Sequence, residues 1–197
     1  MIVSIHQPEH FPYLGFFQKM NKADLFIILD NVKFKKNNFQ NRNRYLNKSG
    51  NEEWFTVPVE KKANSKLIKD VMFAEDYGWK KKLVRQMNMN LGLSIDDLNY
   101  IYNQNELCIS NLKSIDYCRM KLKIDTPYVL ASELNVGGSK TELLVNLCKE
   151  VGATSYLSGK NGYKYLEREL FGKIKVDVFE PQVDNYYTTL SYIKGIK

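Results

Sequence analysis

The chain reads as an α/β protein with a mainly parallel sheet, in a Rossmann-like (nucleotidyltransferase-like) three-layer arrangement that carries a helical insertion. Three observations predict this. Short apolar runs alternate with helix-periodic stretches along the chain. LFIILD, Leu25–Asp30, is a continuous apolar run of the kind buried on both faces. Strand, helix and strand fit within about the first thirty residues, as in a βαβ unit with a right-handed crossover.

Met1–Ile5, apolar ahead of a Pro turn, is the first strand. Phe11–Met20 follows as a helix with Pro12 near its first turn, where a missing N–H costs nothing, and with Leu14, Phe16 and Phe17 on its apolar side. LFIILD is the second strand. After a polar stretch, EEWFTVPVE (Glu52–Glu60) reads as another, with Pro58 confining it to an edge or a strand end. From Tyr77 to about Leu122 the spacing is mostly helical: Trp79, Leu83, Gln86 and Met87 share a face, and Ile109, Leu112, Ile115, Cys118 and Leu122 follow helical spacing.

DTPYVLASEL holds a short strand after Pro127. In GGSKTELLVNLCKEVG the lysine follows Ser139 rather than glycine, so this is no Walker loop. Ser139 and Glu142 fit a capping box instead, Leu143, Leu144, Leu147 and Val151 face the core, and Gly152 ends the helix. ATSYLSG is a strand, a second short helix begins near Tyr163, and KVDVFEP is the last clear strand. No repeat or linker divides the 197 residues, so one domain is expected, 1–197, its tail at 182–197 atypical or shortened.

Thirteen tyrosines and ten phenylalanines argue against disorder. No run approaches the ~20 apolar residues of a membrane span, and MIVSIHQP lacks the basic leader and cleavage site of a signal peptide. Cys108, Cys118 and Cys148 are widely spaced, with no CxxC pair to suggest zinc, and read as thiols of a cytoplasmic protein without a metal site. The net charge of +7 is mostly lysine, clustered at Lys33–Arg44 and at Lys80–Lys82, the second cluster reading as solubilising. Nucleic acid is not favoured, because Phe34 and Phe39 are a poor substitute for aromatics interleaved with cations on one face. Abundant tyrosine leaves room for a homo-oligomer interface.

In open parallel sheets, ligands bind beyond the carboxyl ends of the strands. The first strand delivers His6-Gln7 there, the second Asp30-Asn31 ahead of KFKKNNFQNRNR, and the late strand Ser158-Gly159 with a glycine-containing loop. His6 can serve as general base or acid, or hydrogen-bond the turn. Asp30 can bind a substrate hydroxyl or amine, orient His6, or cap the next turn. The Arg42 fork suits phosphate or carboxylate, and Asn41 suits sugar hydroxyls. Gly159 and Gly162, with Lys160 and a helix start, offer open backbone amides to an anion. A phosphorylated small molecule fits this set better than a polymer.

The motifs IHQP-x-x-FPYLGFFQK, ADLFIILDNVKF-x-K-x-x-FQNRNR, WFTVPV and YLSG-x-x-x-x-YL, in this order from Met1 to about Phe179, resemble the WbqC-like protein family. The matching positions include His6, Gln7, Asp30, Lys36, Asn41, Arg42, Ser158 and Gly159. His10 and Lys33 depart from the pattern, and where family members continue through a serine-bearing apolar segment this chain reads YYTTLSYIKGIK, the element being either lost or shortened to Thr189–Tyr192. The resemblance implies bacterial surface-glycan gene clusters, O-antigen or capsule, and work on nucleotide-linked amino sugars. A looser similarity, to nucleotidyltransferases with an HxGH signature, rests on His6 and His10 but lacks the glycine between them.

The expected function is transfer of a small acyl-type group to the amine of a nucleotide-linked amino sugar. His6 takes the amine proton, and Asp30 orients His6 or the amine. Arg42 with Lys36 or Lys160 holds the diphosphate, Gln7 and Asn41 contact sugar or donor, and the donor is a coenzyme A or folate derivative. Two other expectations stand beside it: a nucleotidyltransferase-like enzyme acting on a sugar phosphate, and a non-catalytic sugar-nucleotide-binding partner of a glycan-pathway enzyme.

Overall fold

Apolar runs buried on both faces need neighbours on both edges, and the computed structural model, which describes residues 1–47, 49–76 and 78–195, supplies them in a five-stranded parallel sheet flanked by helices. The fold is α/β, Rossmann-like and three-layered. In chain order the first elements are β1 (Ile2–His6), α1 (Leu14–Asn21), β2 (Leu25–Ile28), β3 (Arg42–Leu46) and β4 (Glu52–Thr56). Three helices follow, α2 (Gly78–Leu91), α3 (Ile95–Ile101) and α4 (Leu107–Leu122). The remainder is β5 (Tyr128–Leu130), α5 (Lys140–Glu150), β6 (Ser155–Gly159), α6 (Lys160–Tyr163), β7 (Lys175–Phe179) and α7 (Thr189–Ile193). These elements fall into two compact units, the first of residues 1–7, 15–30 and 124–184, the second of residues 8–14, 31–123 and from 185 onward.

The first unit holds the sheet, in the order β5-β2-β1-β6-β7. β1 pairs in parallel with β2, from Val3↔Leu25 to His6↔Ile28, and with β6 at Ile2↔Ser155 and Val3↔Tyr156. Phe26, Ile27 and Ile28 expose no surface, as their unbroken apolar run predicts. Asp24 sets the register: its Oδ2 accepts the Ile2 N–H at 2.7 Å and its own N–H donates to the Ile2 carbonyl at 2.8 Å. α1 buries Phe16, Phe17 and Met20. In α5, Leu143 and Leu147 are buried as expected and Gly152 closes the helix at φ +70°. Ser139 is the N-cap residue of α5, but its hydroxyl makes no capping bond, so the expected capping box does not form.

The second unit contains the antiparallel β3–β4 pair and α2, α3, α4 and α7. β4 stops at Thr56, so Pro58 lies past the strand end. The helical stretch is as read, except that Tyr77, its expected start, lies outside the described residues. The buried side of α4 is Leu107, Cys108, Asn111, Ser114, Ile115 and Cys118, whereas Ile109, assigned by its spacing to the apolar row, is 42% exposed. The helix turns its asparagine and serine inward because a polar turn must be satisfied there. Among the described residues no helix is long and apolar enough to cross a membrane.

That turn is the segment Pro8–Tyr13, and it delays the first helix from Phe11 to Leu14. Phe11 is fully buried at φ +45°, an uncommon conformation for a bulky side chain. Its N–H donates to Ser114 Oγ at 3.0 Å, and its carbonyl accepts from Asn43 Nδ2 at 2.8 Å and Thr188 Oγ1 at 2.7 Å. The His10 N–H donates to the Phe39 carbonyl at 2.8 Å, and the Pro12 carbonyl accepts the Thr189 N–H at 2.8 Å. Asn111 uses Nδ2 on the carbonyls of Pro8 (3.0 Å) and Gln40 (2.7 Å), while its Oδ1 lies 2.9 Å from His10 Nδ1.

Replacing Asn111 with leucine keeps the size and removes all three partners. Each buried group left unsatisfied costs about 1–3 kcal/mol, so Asn111→Leu lowers the midpoint of urea unfolding by the equivalent of roughly 3 kcal/mol or more. An unchanged midpoint would show that the clamp contributes nothing.

Candidate functional site

The strand order reverses direction at β1: the chain proceeds from β1 through β2 to β5 on one side and from β6 to β7 on the other. The crevice at such a point, beyond the carboxyl ends of the two central strands, is where open α/β sheets bind ligands. Here those ends are His6-Gln7 and Ser158-Gly159. Ser4 Oγ donates to the Leu157 carbonyl at 2.9 Å, and the same offset carried along the strands sets His6 level with Gly159. Five residues expected from sequence, His6, Gln7, Ser158, Gly159 and Lys160, therefore share one edge of the first unit's sheet.

His6 keeps part of its surface in water, and its ring packs edge-on against Phe16 with centres 5.0 Å apart. Nδ1 lies 3.0 Å from the Gln7 carbonyl, which can only accept, so Nδ1 carries the hydrogen and the lone pair of the neutral ring is on Nε2. Burial, and after it the Lys19 ammonium, push the imidazole down to about 3, against the pull of the Gln7 carbonyl. Lys19 is only 4% exposed; its Nζ donates to the Ile5 carbonyl at 3.1 Å and lies 5.7 Å from the centre of the Phe26 ring. The resting imidazole is neutral, as a proton acceptor must be.

Asp30, two residues past β2, is buried, and Ser132 holds both of its carboxylate oxygens: the Ser132 N–H donates to Oδ1 at 2.9 Å and its hydroxyl to Oδ2 at 2.6 Å. The pair ties the exit of β2 to the turn after β5. Ser158 is buried and donates to the Gly159 carbonyl at 3.2 Å, and a Cβ at Gly162 would stand 3.3 Å from its hydroxyl, so glycine lets α6 close down on the serine. Lys160 pairs with Glu180 at 2.8 Å, both about 60% exposed, a contact of little energetic weight.

The other three expected residues, Lys36, Asn41 and Arg42, belong to the second unit. Lys36 is exposed, and its backbone N–H donates to Asn64 Oδ1 at 2.8 Å. Asn41 is buried and shapes its own loop, accepting from the Asn37 N–H and donating to the Val57 carbonyl, both at 3.0 Å. Arg42 lies against the Trp54 ring, 4.4 Å from its centre.

His10 is fully buried in the second unit. The oxygen of Asn111 faces Nδ1, which therefore carries the hydrogen, and Nε2 accepts from the Tyr102 hydroxyl at 2.8 Å. Burial pushes this imidazole down to about 4, against the Asn111 hydrogen bond. The three cysteines are buried, and burial pushes the Cys148 thiol up to about 12, so they are poor nucleophiles.

Sequence reasoning missed Lys19, Ser132 and Trp54. Lys19 had a signal, since it stands three residues after Phe16 on an otherwise apolar helix face. Ser132 had none, because its partner is 102 positions away.

The model of the WbqC-like protein family matches residues 7–192. The chain is 28% identical over 195 residues to Uncharacterized protein Rv1507c of Mycobacterium tuberculosis (strain ATCC 25618 / H37Rv), an alignment covering 93% of this chain and 83% of that protein. No solved structure matches.

The two histidines give a pH test. His10 takes its proton near 4 in the folded chain and near 6.5 in the unfolded one, so between these values the unfolded state holds more protons. Stability from this group is complete above about pH 6.5 and is lost as the pH falls toward 4, about 3 kcal/mol in all. Imidazole resonances followed by NMR across that range should show neither ring titrating above pH 5; a His10 midpoint near 6.5 would contradict the structure.

Proposed function

The chain belongs to the WbqC-like protein family, and on that premise we propose that it is a transferase of bacterial surface-glycan (O-antigen or capsule) biosynthesis, moving a small acyl group to the amine of a nucleotide-linked amino sugar. The observation that supports this most is the neutral His6 imidazole at the reversal point of the parallel sheet, level with Gly159, with its lone pair on Nε2. The proposed cellular location is the cytoplasm, where sugar nucleotides and acyl donors are held.

In the proposed reaction the sugar amine attacks the acyl carbon and a C–N bond forms. The amine proton passes to His6 Nε2. The bond from the acyl carbon to the donor's sulfur or nitrogen then breaks, and the proton moves from His6 to that leaving atom, restoring the neutral ring. An anionic substrate beside His6 raises its proton affinity, offsetting the depression that burial and Lys19 impose. Asp30, fixed by Ser132, has lone pairs left to accept from the amine. Gln7, Ser158, Gly159 and Lys160 are the proposed substrate contacts at this edge of the first unit's sheet. The donor class stays as a coenzyme A or folate derivative.

A nucleotidyltransferase-like reading needs a second imidazole turned toward phosphate. His10 has both ring nitrogens engaged by Asn111 and Tyr102, which weighs against it.

The test is incubation with nucleotide-linked amino sugars and acyl donors, read by mass spectrometry. A gain of one acyl group is expected, with His6→Asn slower by about 10²–10⁴-fold at unchanged substrate affinity, the usual contribution of a general base. Turnover by His6→Asn at the native rate would remove His6 from the chemistry. Binding without product under every donor would favour a non-catalytic partner.

A further inference from the structure

Strand alternation gives the β3–β4 pair two unlike faces. Asn43, Tyr45 and Phe55 point inward and are buried, whereas Arg42, Arg44, Trp54 and Thr56 share the outward face, with Arg44 directly opposite Trp54. Trp54 is 39% exposed. The Arg42 guanidinium lies 4.4 Å from its ring centre, and Arg44 lies 5.9 Å from the same ring and 5.6 Å from that of Tyr187. The result is a face on which an indole, two guanidinium groups and a phenol lie close together, all within the second unit.

The arginines are incompletely used. Arg44 gives Nη1 to Glu52 Oε2 at 3.2 Å, but its Nε, shielded from solvent, has no hydrogen-bond partner, and Arg42 Nε is in the same condition. The Nε edge of a guanidinium is half of the fork that grips phosphate in two parallel hydrogen bonds. A buried N–H without an acceptor is costly, and a bound anion would remove that cost.

We propose that this face is a nucleotide platform: the base of a nucleoside diphosphate stacks on the Trp54–arginine layer and the Nε edges of Arg42 and Arg44 take the phosphates. The proposal rests on the reading above for the ligand class and adds Trp54 and Arg44 as its specificity residues. A mononucleotide suits the face better than a polymer, because Glu52 stands within it and a strand-binding groove needs an unbroken line of cations and aromatics.

The chain has two tryptophans, Trp54 and Trp79, so the native protein gives two indole N–H signals in an NMR spectrum, and Trp54→Phe assigns them. Uridine and guanosine diphosphates should shift the Trp54 signal saturably and leave Trp79 in place. Inorganic pyrophosphate and the bare nucleosides should each bind at least about tenfold more weakly, and Arg44→Gln should weaken diphosphate binding by about tenfold or more, as the loss of one charge-assisted pair predicts. Trp54 unmoved at roughly millimolar diphosphate, pyrophosphate binding as well as the nucleotide, or an oligothymidylate binding more tightly than either diphosphate would each overturn the platform. Acyl transfer with an inert Trp54 would sink the platform alone; diphosphate binding without any transfer would sink the transferase reading alone.

Discussion

The second unit depends on satisfying one buried turn. Between β1 and α1 the chain runs through Pro8–Tyr13, whose ladder pairing is limited to the isolated Tyr13↔Thr188 bridge, and its interior is shut off from water. The backbone groups from Pro8 to Pro12 therefore draw on Asn111, Phe39, Ser114, Asn43, Thr188 and Thr189. These partners come from one loop, one strand, one long helix and the last described segment. With that many bonds the backbone of Phe11 is over-determined, which is how a buried aromatic residue stays at positive φ. The segment at Thr188 and Thr189 is thereby an integral part of the unit.

This constraint also separates two histidines that sequence alone presents as a pair. They are four positions apart, yet one belongs to the sheet unit and the other to the turn. His6 ends a strand and donates its Nδ1–H to its neighbour's carbonyl. His10 gives both nitrogens to side chains and exposes no surface. Burial depresses both, but only His6 stands at the edge where parallel sheets present ligands to their strand ends.

The sheet strands were legible because burial on both faces favours a nearly unbroken apolar run, which LFII shows plainly, whereas β3, RNRYL, lies in what reads as a polar stretch. The ends of elements were less legible. Phe11 looks like a helix former until the bonds that hold it left-handed are known, and those partners lie 32 to 177 positions away. The polar inner row of α4 misled for the same reason: Asn111 and Ser114 resemble solvent-facing residues unless the groups they satisfy are in view. Asp30 was found as a polar residue after an apolar run, but its engagement by Ser132 was not. Of the candidate site, the strand-end residues were readable from topology rules, whereas Lys19, which helps to keep His6 neutral, was overlooked although a lysine on an apolar helix face signals a buried cation.

The β3–β4 pair shows why an incomplete hydrogen-bond account can be informative. Its inner face leaves little unspent: Asn43 serves the Phe11 carbonyl and the Arg44 N–H, and the Tyr45 hydroxyl is shared with Glu53, Gln86 and Asn90. Its outer face leaves two shielded guanidinium Nε groups without acceptors, two positions apart in sequence and next to each other on the same face of β3. Leaving both arginines short at the same aromatic surface costs stability that a packed apolar pair would not, and such a cost persists where a ligand, rather than the chain, completes the bonds.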